Sequence, residues 1–403
     1  MPSLDSNPSA TWPAVAHEEL PWVWRYEPGE ASRNQIRAHR GPYSAAIPAQ
    51  IRDVRYSMPS VLAAAVDDAS REIARFDEQS GAVLAPFASL LLRSEAAASS
   101  QIENLTASAR AIAQAELLGA AGRGNAAQIV ANTTAMTAAI GLADDLSEQS
   151  ILTMHRALLG SQDDASAGRW RTEQVWIGGS RLGPHLADFV PPQHARLSAA
   201  IADLVAFMRR DDMPALTHAA IAHAQFETIH PFTDGNGRTG RALIHALIRG
   251  KGLARHVTVP LSAGLLVDVP SYFRALDAYR EGDPEPIVSQ LVEAAFAGIT
   301  NGRALVAELE GIREAWRGRI KARQGSNAWR ITEVLFTHPV VDAGLLARLT
   351  GIAPGNVYRP LEALLEAGVL TESTNRRRGR MWRSDEVLRA LDAFAARTGR
   401  RRR

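Results

Sequence analysis

The chain has 403 residues, enough for two or three domains and a large core. With 45 Lys and Arg against 43 Asp and Glu its net charge is +2, which excludes polyanion binding by bulk charge, and having no cysteine it has no disulfide, thiolate zinc site or cysteine nucleophile. No apolar run approaches a membrane span, and the opening Met-Pro-Ser-Leu-Asp lacks the basic and apolar regions of a signal peptide, so a cytoplasmic protein with no membrane partner is expected. Abundant alanine and scarce strand-type alternation predict a mainly α body.

Residues 1–58 are rich in Pro, Trp and Arg without a clean period, and Pro21-Trp22-Val-Trp24 reads as an extended segment packed over a larger surface. A helix is predicted from Pro59, capped by Ser57 or Ser60, with Leu62, Val66, Ile73 and Phe76 on one face and Gly81 as its stop. A second, from Pro86 to Asn104, places Ser99 and Glu103 one turn apart on a shared face, as in an ordinary amphipathic helix end. Ser108 to Leu118 and Ala126 to Ala143 read as further helices. Another is opened by Ser147 or Ser150, stopped by Gly160, and carries His155 inward as a hydrogen-bonded core histidine. His218, His223 and His245 read the same way, since their spacings fit no metal signature. Gly168 to Pro192 is the one β region expected in the first three hundred residues: Val175-Trp-Ile177 out, a glycine-rich turn, and Phe189-Val190 back as a hairpin.

Two helical runs, Ala215 to Ile229 and Thr239 to Arg249, flank His230-Pro-Phe-Thr-Asp-Gly-Asn-Gly-Arg-Thr-Gly-Arg241. Gly235 and Gly237 let backbone N–H groups turn inward together beside a helix start, an arrangement that suits a phosphate chain. Arg238 and Arg241, three apart, reach the same anion; Asp234 suits Mg²⁺ held jointly with phosphates; His230 is the nearby group able to take a proton near neutrality. The string resembles the Fic (filamentation induced by cAMP) motif, HxFx[D/E]GNGRxxR, at every fixed position: His230, Phe232, Asp234, Gly235, Asn236, Gly237, Arg238 and Arg241.

That resemblance implies a protein adenylyltransferase moving AMP from ATP to a Tyr, Ser or Thr hydroxyl of a target or of itself, with His230 as catalytic base, Asp234 holding Mg²⁺, and Asn236, Arg238 and Arg241 gripping the phosphates. It implies a nucleotide site of Gly235, Asn236, Gly237, Arg238, Thr239, Gly240 and Arg241, with Ile177 and Gly178 of the hairpin and Tyr272 and Arg280 of a closing helix. The hairpin resembles the family's flap, along which the target protein is expected; Tyr272 stacks on the base or simply packs. Ser99, Glu103 and Asn104 are similar to the inhibitory motif [S/T]xxxE[G/N], whose glutamate pairs in relatives with the position of Arg241.

Pro284 to Lys321 reads as one long helix, and a different composition begins near Ser326. Helices around Ile331, after Asp342 and from Pro354, then Val369 to Glu372 and Arg380 to Arg383 about a basic tip, resemble a winged helix–turn–helix. Tyr358 and Arg359 on its recognition helix, Arg377 and Arg378 on its wing, and the tail Arg400 to Arg403 are candidates for DNA contact, with dimerisation or target docking as the other use of the fold. The expected organisation is an N-terminal extended segment (1–58), a helical region with the inhibitory helix (59–145), a Fic catalytic core (146–300), a linker helix (301–325) and a winged-helix domain with basic tail (326–403). Two other functions stay open, a nucleotide-sensing transcriptional regulator and a Fic enzyme removing AMP from modified proteins, and so does a homodimer.

Overall fold

A computed structural model describes residues 12–23, 31–83, 87–119, 124–160, 165–373 and 379–398. Expected features at Trp24, Pro86, Asn375 to Arg378 (the wing arginines Arg377 and Arg378 included) and Arg400 to Arg403 lie outside them.

The described chain is mainly helical. β1 (Ala16–Leu20), α1 (Arg33–Ala38) and β2 (Tyr43–Ile47) precede α2 (Ser60–Val83), α3 (Ala88–Ile102), α4 (Ala109–Leu117), α5 (Asn125–Gly141) and α6 (Glu148–Leu159). Then come α7 (Leu197–Met208), α8 (Ala215–Ile229), α9 (Asn236–Gly250), α10 (Leu261–Leu265), α11 (Val269–Arg280) and α12 (Glu285–Arg319). The last part holds α13 (Asn327–Leu335), β3 (Val340–Asp342), α14 (Ala343–Thr350), α15 (Tyr358–Glu366), β4 (Thr371–Glu372), β5 (Met381–Arg383) and α16 (Asp385–Thr398). No helix among the described residues is long and apolar enough to cross a membrane.

Local chemistry explains several boundaries. Ser108 Oγ accepts from Ala111 N at 3.2 Å, Ser147 and Ser150 form a reciprocal capping box, and Asp342 Oδ1 accepts from Leu345 N at 2.7 Å. Each cap satisfies an orphan helix donor, worth about 1 kcal/mol. Elsewhere the sequence signals mislead. α2 runs through Gly81 to Val83, because a single glycine costs a helix only about 1 kcal/mol and does not by itself stop it. α9 starts at Asn236, three residues before the expected Thr239, because Gly235 takes the left-handed conformation (φ 75°) and turns the chain straight into the helix.

The expected β content is also redistributed. Residues 16–47, read as part of an extended segment, form an antiparallel pair, β1 with β2, around a short helix. The flap, read as a hairpin, makes only a single bridge between Ile177 and Phe189. β2 contains Ala45 and Ala46, poor strand formers by propensity, yet both are fully buried, and strand preference is largely a matter of such packing. Pro191 and Pro192 lack the N–H groups a longer returning strand would need. The two regions are joined: Ala46 N donates to Val190 O at 2.9 Å, and Trp22 packs edge-on against Trp176 at 5.7 Å.

α8 is the centre of the molecule, with every residue from Leu216 to Ile229 buried rather than one face only. A helix enclosed on all sides carries no amphipathic stripe, which is why its periodicity is weak. α12 is continuous from Glu285 to Arg319, so residues 301–319 are its second half, with Leu305, Leu309 and Trp316 in the core. Beyond it three helices and an antiparallel sheet of order β3-β5-β4 are followed by α16, which returns to pack on α12 and α3. Phe336 meets Phe87 at the start of α3 (ring centroids 5.2 Å apart), and Arg93 of α3 donates to Thr337 O. α3 is thereby held between α5 and α9 on one side and the C-terminal elements on the other.

Candidate active site

α8 ends at Ile229, and His230 takes a left-handed conformation (φ 48°, ψ 61°) that turns the chain back toward the core. Such a conformation in a non-glycine residue costs of order 1 kcal/mol or more and persists only where the surroundings enforce it. Arg171 enforces it. Its side chain is buried, and it donates to His230 O at 2.9 Å, Glu173 O at 2.8 Å and Pro192 O at 2.5 Å, while its own N–H donates to Pro231 O. Nothing in the sequence motif marks this residue, which braces loop and flap together.

The loop is stiffened from inside. Phe232 is fully buried, stacked on His155 with ring centroids 3.6 Å apart. His155 is the hydrogen-bonded core histidine expected: Nδ1 accepts from Gly168 N at 2.9 Å, which leaves the proton on Nε2 to reach Asp234 O at 3.0 Å. Asn236, expected to grip phosphate, does something else. Its Oδ1 accepts from Phe232 N and its Nδ2 donates to Phe232 O, both at 2.9 Å, so both ends of the amide brace the turn. His218, His223 and His245 are likewise bonded, to Phe207 O, Tyr272 Oη and Glu95 Oε1.

Glu103 is the residue that follows the last turn of α3. Asn104 after it has φ 62°, a left-handed position that glycine and asparagine tolerate best, which accounts for a Gly/Asn preference there. The Glu103 carboxylate reaches across to α9 and bridges two arginines: Oε1 accepts from Arg241 Nη2 at 2.8 Å and Oε2 from Arg238 Nε at 2.7 Å. The expected pairing was with Arg241 alone. Ser99 completes the clamp, its Oγ and carbonyl accepting from Arg241 at 2.9 and 2.8 Å. Both arginine side chains are 2 % exposed, so these are short charge-assisted bonds in a dry setting. Gly237 lies directly beneath: a Cβ there would stand 2.5 Å from Glu103 Oε1. Arg238 Nη1 is buried with no partner, a donor still unmet beside the anion nest.

Asp234 faces outward, its side chain 68 % exposed, with Oδ1 accepting from Gly235 N at 2.6 Å. Among the described residues no group of three or more His, Cys, Asp or Glu could hold a metal. A lone exposed carboxylate beside a helix N-terminus fits Mg²⁺ only as a joint ligand with phosphate oxygens, the usual manner for that ion. Thr239 and Gly240 are buried within α9. The remaining expected nucleotide residues differ in what they offer. Arg280 lies over the Phe189 ring at 3.7 Å and bonds Asp277 Oδ1 at 2.7 Å, joining α11 to the flap. Ile177 spends both backbone groups on Asp188 and Phe189, while Gly178 after it has φ 73°. Tyr272 is 1 % exposed with its hydroxyl 2.8 Å from His223 Nε2, so its ring is enclosed by protein and presents no face to a base.

Burial, with Arg171 and Arg280 opposing a further positive charge, drives the His230 pKa down to about 3. The imidazole is therefore neutral and ready to accept a proton across the physiological range. Burial pushes Glu227, one turn earlier on α8, up to about 7, Arg241 pulling it down and Glu103 pushing it up.

Residues 145–248 match the Fic/DOC family, and residues 63–141 match the Fic/DOC N-terminal family. The two matches together run from within α2 to within α9. The chain is 33 % identical over 159 residues to protein adenylyltransferase fic-1 of Caenorhabditis elegans, covering 39 % of this chain and 28 % of that protein. It is 31 % identical over 147 residues to protein adenylyltransferase Fic of Drosophila melanogaster, covering 36 % and 27 %. The chain thus spans less than a third of the length of these curated relatives. A Fic family protein from Desulfovibrio desulfuricans of known structure aligns over 82 % of this chain and 97 % of its own, at 20 % identity and a TM-score of 0.49. The bridged arginines and the neutral histidine thus lie within twelve consecutive residues, and the Glu103 carboxylate is seated on the two arginines.

Proposed function

We propose that this chain transfers AMP from ATP to a hydroxyl group of a target protein or of itself, and that Glu103 holds it in a restrained state. The observation that carries the reading is the Glu103 carboxylate bridging Arg238 and Arg241. Two buried guanidiniums at a helix N-terminus are a site for a polyphosphate, and a carboxylate bound to both is an anion standing where the tail of ATP goes. His230, neutral and only partly exposed, takes the proton of the attacking hydroxyl as its oxygen bonds to the α-phosphorus and pyrophosphate leaves. Arg238, Arg241 and the first N–H groups of α9 bind the phosphates. Asp234 would hold Mg²⁺, which neutralises phosphate charge when bound. Curated relatives named as protein adenylyltransferases support the assignment. The target segment lies along the flap, which β2 contacts through the Ala46 N–H bond to Val190 O.

In this reading residues 59–145 restrain, 146–300 catalyse and 326–403 form a docking module. Incubating the full chain and its Glu103→Gly variant with ATP labelled at the α-phosphate tests it. Label should enter protein and rise in the variant; no label in either, with lysate present, defeats the assignment. If label leaves a pre-modified target instead, and Glu103→Gly abolishes that loss, removal of AMP is the activity.

A second reading, DNA contact by the C-terminal elements, is favoured by Asn356, Tyr358 and Arg359 all being exposed at the start of α15. Full-length protein should then shift duplex DNA with steep salt dependence, and Arg359→Glu should weaken it. Absence of any shift at low salt assigns the module to protein contacts.

A further inference from the structure

Glu227 lies one helical turn before His230 on α8, and its carboxylate Oε2 is 3.8 Å from His230 Nδ1. Glu227 is nearly enclosed and His230 only partly exposed, their side chains being 8 % and 19 % exposed. Glu227 Oε1, on the side of Gly240, and His230 Nδ1 both lie buried without a well-formed hydrogen bond, and the Glu227 backbone also draws on the His230 ring. Buried polar atoms left unpaired are costly, and closing the Oε2–Nδ1 gap by about one ångström makes a hydrogen bond. Hydrogen bonds of catalytic groups are commonly long before substrate binds and tighten in the complex.

Space for the carboxylate is made by α9. A Cβ at Gly240 would stand 2.6 Å from Glu227 Oε1, 2.9 Å from the Phe226 ring and 3.1 Å from His223 Nδ1. Only glycine lets the helix pass this close. The charged and titratable groups around the pair come from every neighbouring element: Arg241 on α9, Glu103 after α3, Arg280 and Tyr272 on α11, His223 on α8 itself, and Arg171 before the flap.

We propose that Glu227 is a positioning residue for the base, its carboxyl group receiving the Nδ1 proton of His230 so that Nε2 is the bare nitrogen presented to the target hydroxyl. The proposal rests on the AMP-transfer reading. During transfer the hydroxyl oxygen bonds to the α-phosphorus, the bond from that phosphorus to the bridging oxygen breaks, and pyrophosphate departs with the electron pair. The hydroxyl proton moves to Nε2, creating an imidazolium in a pocket where Arg171 and Arg280 already oppose positive charge. A carboxylate on Nδ1 is the compensating charge, the logic of a histidine oriented by a buried acid. Because burial pushes Glu227 up to about 7 and holds His230 near 3, the group that changes charge near neutrality is the acid and not the base.

The test uses the full chain in the Glu103→Gly background, with initial rates of α-label transfer from ATP measured between pH 5 and 9. Glu227→Gln, which keeps the shape and loses the charge, should lower kcat by about tenfold or more while leaving KM for ATP unchanged. It should also flatten the acid limb near pH 7, which Glu227→Asp should retain. Nitrogen-15 NMR of His230 should show the Nδ1–H tautomer at pH 8 and a shift away from it in Glu227→Gln. Unchanged kcat and an unchanged acid limb in Glu227→Gln overturn the proposal. So does an Nε2–H tautomer in the protein bearing Glu227, a measurement that does not depend on any Glu227 variant folding. A Glu103→Gly protein with no transfer at all instead removes the AMP-transfer reading beneath it.

Discussion

Glu103 and Arg238 are joined by a 2.7 Å hydrogen bond, so the Glu103 carboxylate holds Arg238 as closely as it holds Arg241. The restraint proposed above is therefore a bridge across one turn of α9 and not a single ion pair. A nucleotide has to displace one carboxylate from two partners together, and small misalignments of the α-phosphate cost large factors in rate.

Releasing the bridge should activate the protein. Glu103→Gly is expected to raise AMP transfer by about tenfold or more, and to tighten ATP binding by calorimetry, because both guanidiniums become available. Adding Arg241→Ala should abolish the gain, since the phosphate clamp itself is then lost. Transfer at or below the parent rate under saturating ATP and Mg²⁺ would return Ser99 and Glu103 to a packing role.

His230→Ala should eliminate transfer while leaving nucleotide affinity within a few-fold of the parent. The phosphate partners lie on α9 and the loop amides, not on the imidazole, so binding and proton transfer separate. Loss of both in a protein with an unchanged melting temperature would make His230 a binding residue.

Asn236→Ala should act on stability first. Removing the amide leaves Phe232 N and O without their 2.9 Å partners inside a buried turn, a loss of about 1–3 kcal/mol per orphaned group. A fall in melting temperature, with reduced transfer following from the loosened loop, is the expected result. A variant that melts like the parent yet fails to bind ATP would restore a direct phosphate contact.

The titration of the buried pair sets a two-sided pH window. His230 is depressed from 6.5 to about 3, so its contribution to stability is present above 6.5 and lost as pH falls toward 3. Glu227 is raised from 4.5 to about 7, so its contribution is present below 4.5 and lost as pH rises through 7. Glu227→Gln should accordingly melt at a higher temperature than the parent at pH 8 and at the same temperature near pH 4. Equal melting curves at both values would show that Glu227 is not held in its neutral form by burial.

The α3 anchor offers a fifth handle. Arg93 ties this helix to Glu116 at 2.6 Å and to Thr337 O, next to the Phe87–Phe336 contact. Arg93→Ala should loosen the helix that carries Glu103 and raise unstimulated transfer, measured against Glu103→Gly as the upper bound; a rate equal to the parent would show that the C-terminal elements do not help hold the restraint.

The local sequence by itself determined the reactive loop. His230, Asp234 and the glycines and arginines up to Arg241 act within twelve consecutive positions, where spacing alone dictates which groups can meet. It also determined that Glu103 and Ser99 share a helix end, because four residues make one turn. What it could not carry was distance between segments far apart in the chain. Arg171 locks His230 from 59 positions away, Arg238 meets Glu103 across 135, and the strand that covers the flap comes from residues 43–47. Such contacts follow from how enclosed helices pack, and α8, buried on all sides, gives no face by which its neighbours could be read in advance. Asn236 makes the same point at close range. Its place in the motif suggested a phosphate ligand, but whether an amide turns outward to an anion or inward to the Phe232 backbone depends on which groups the fold leaves buried and in need of a partner, and tertiary packing alone decides that.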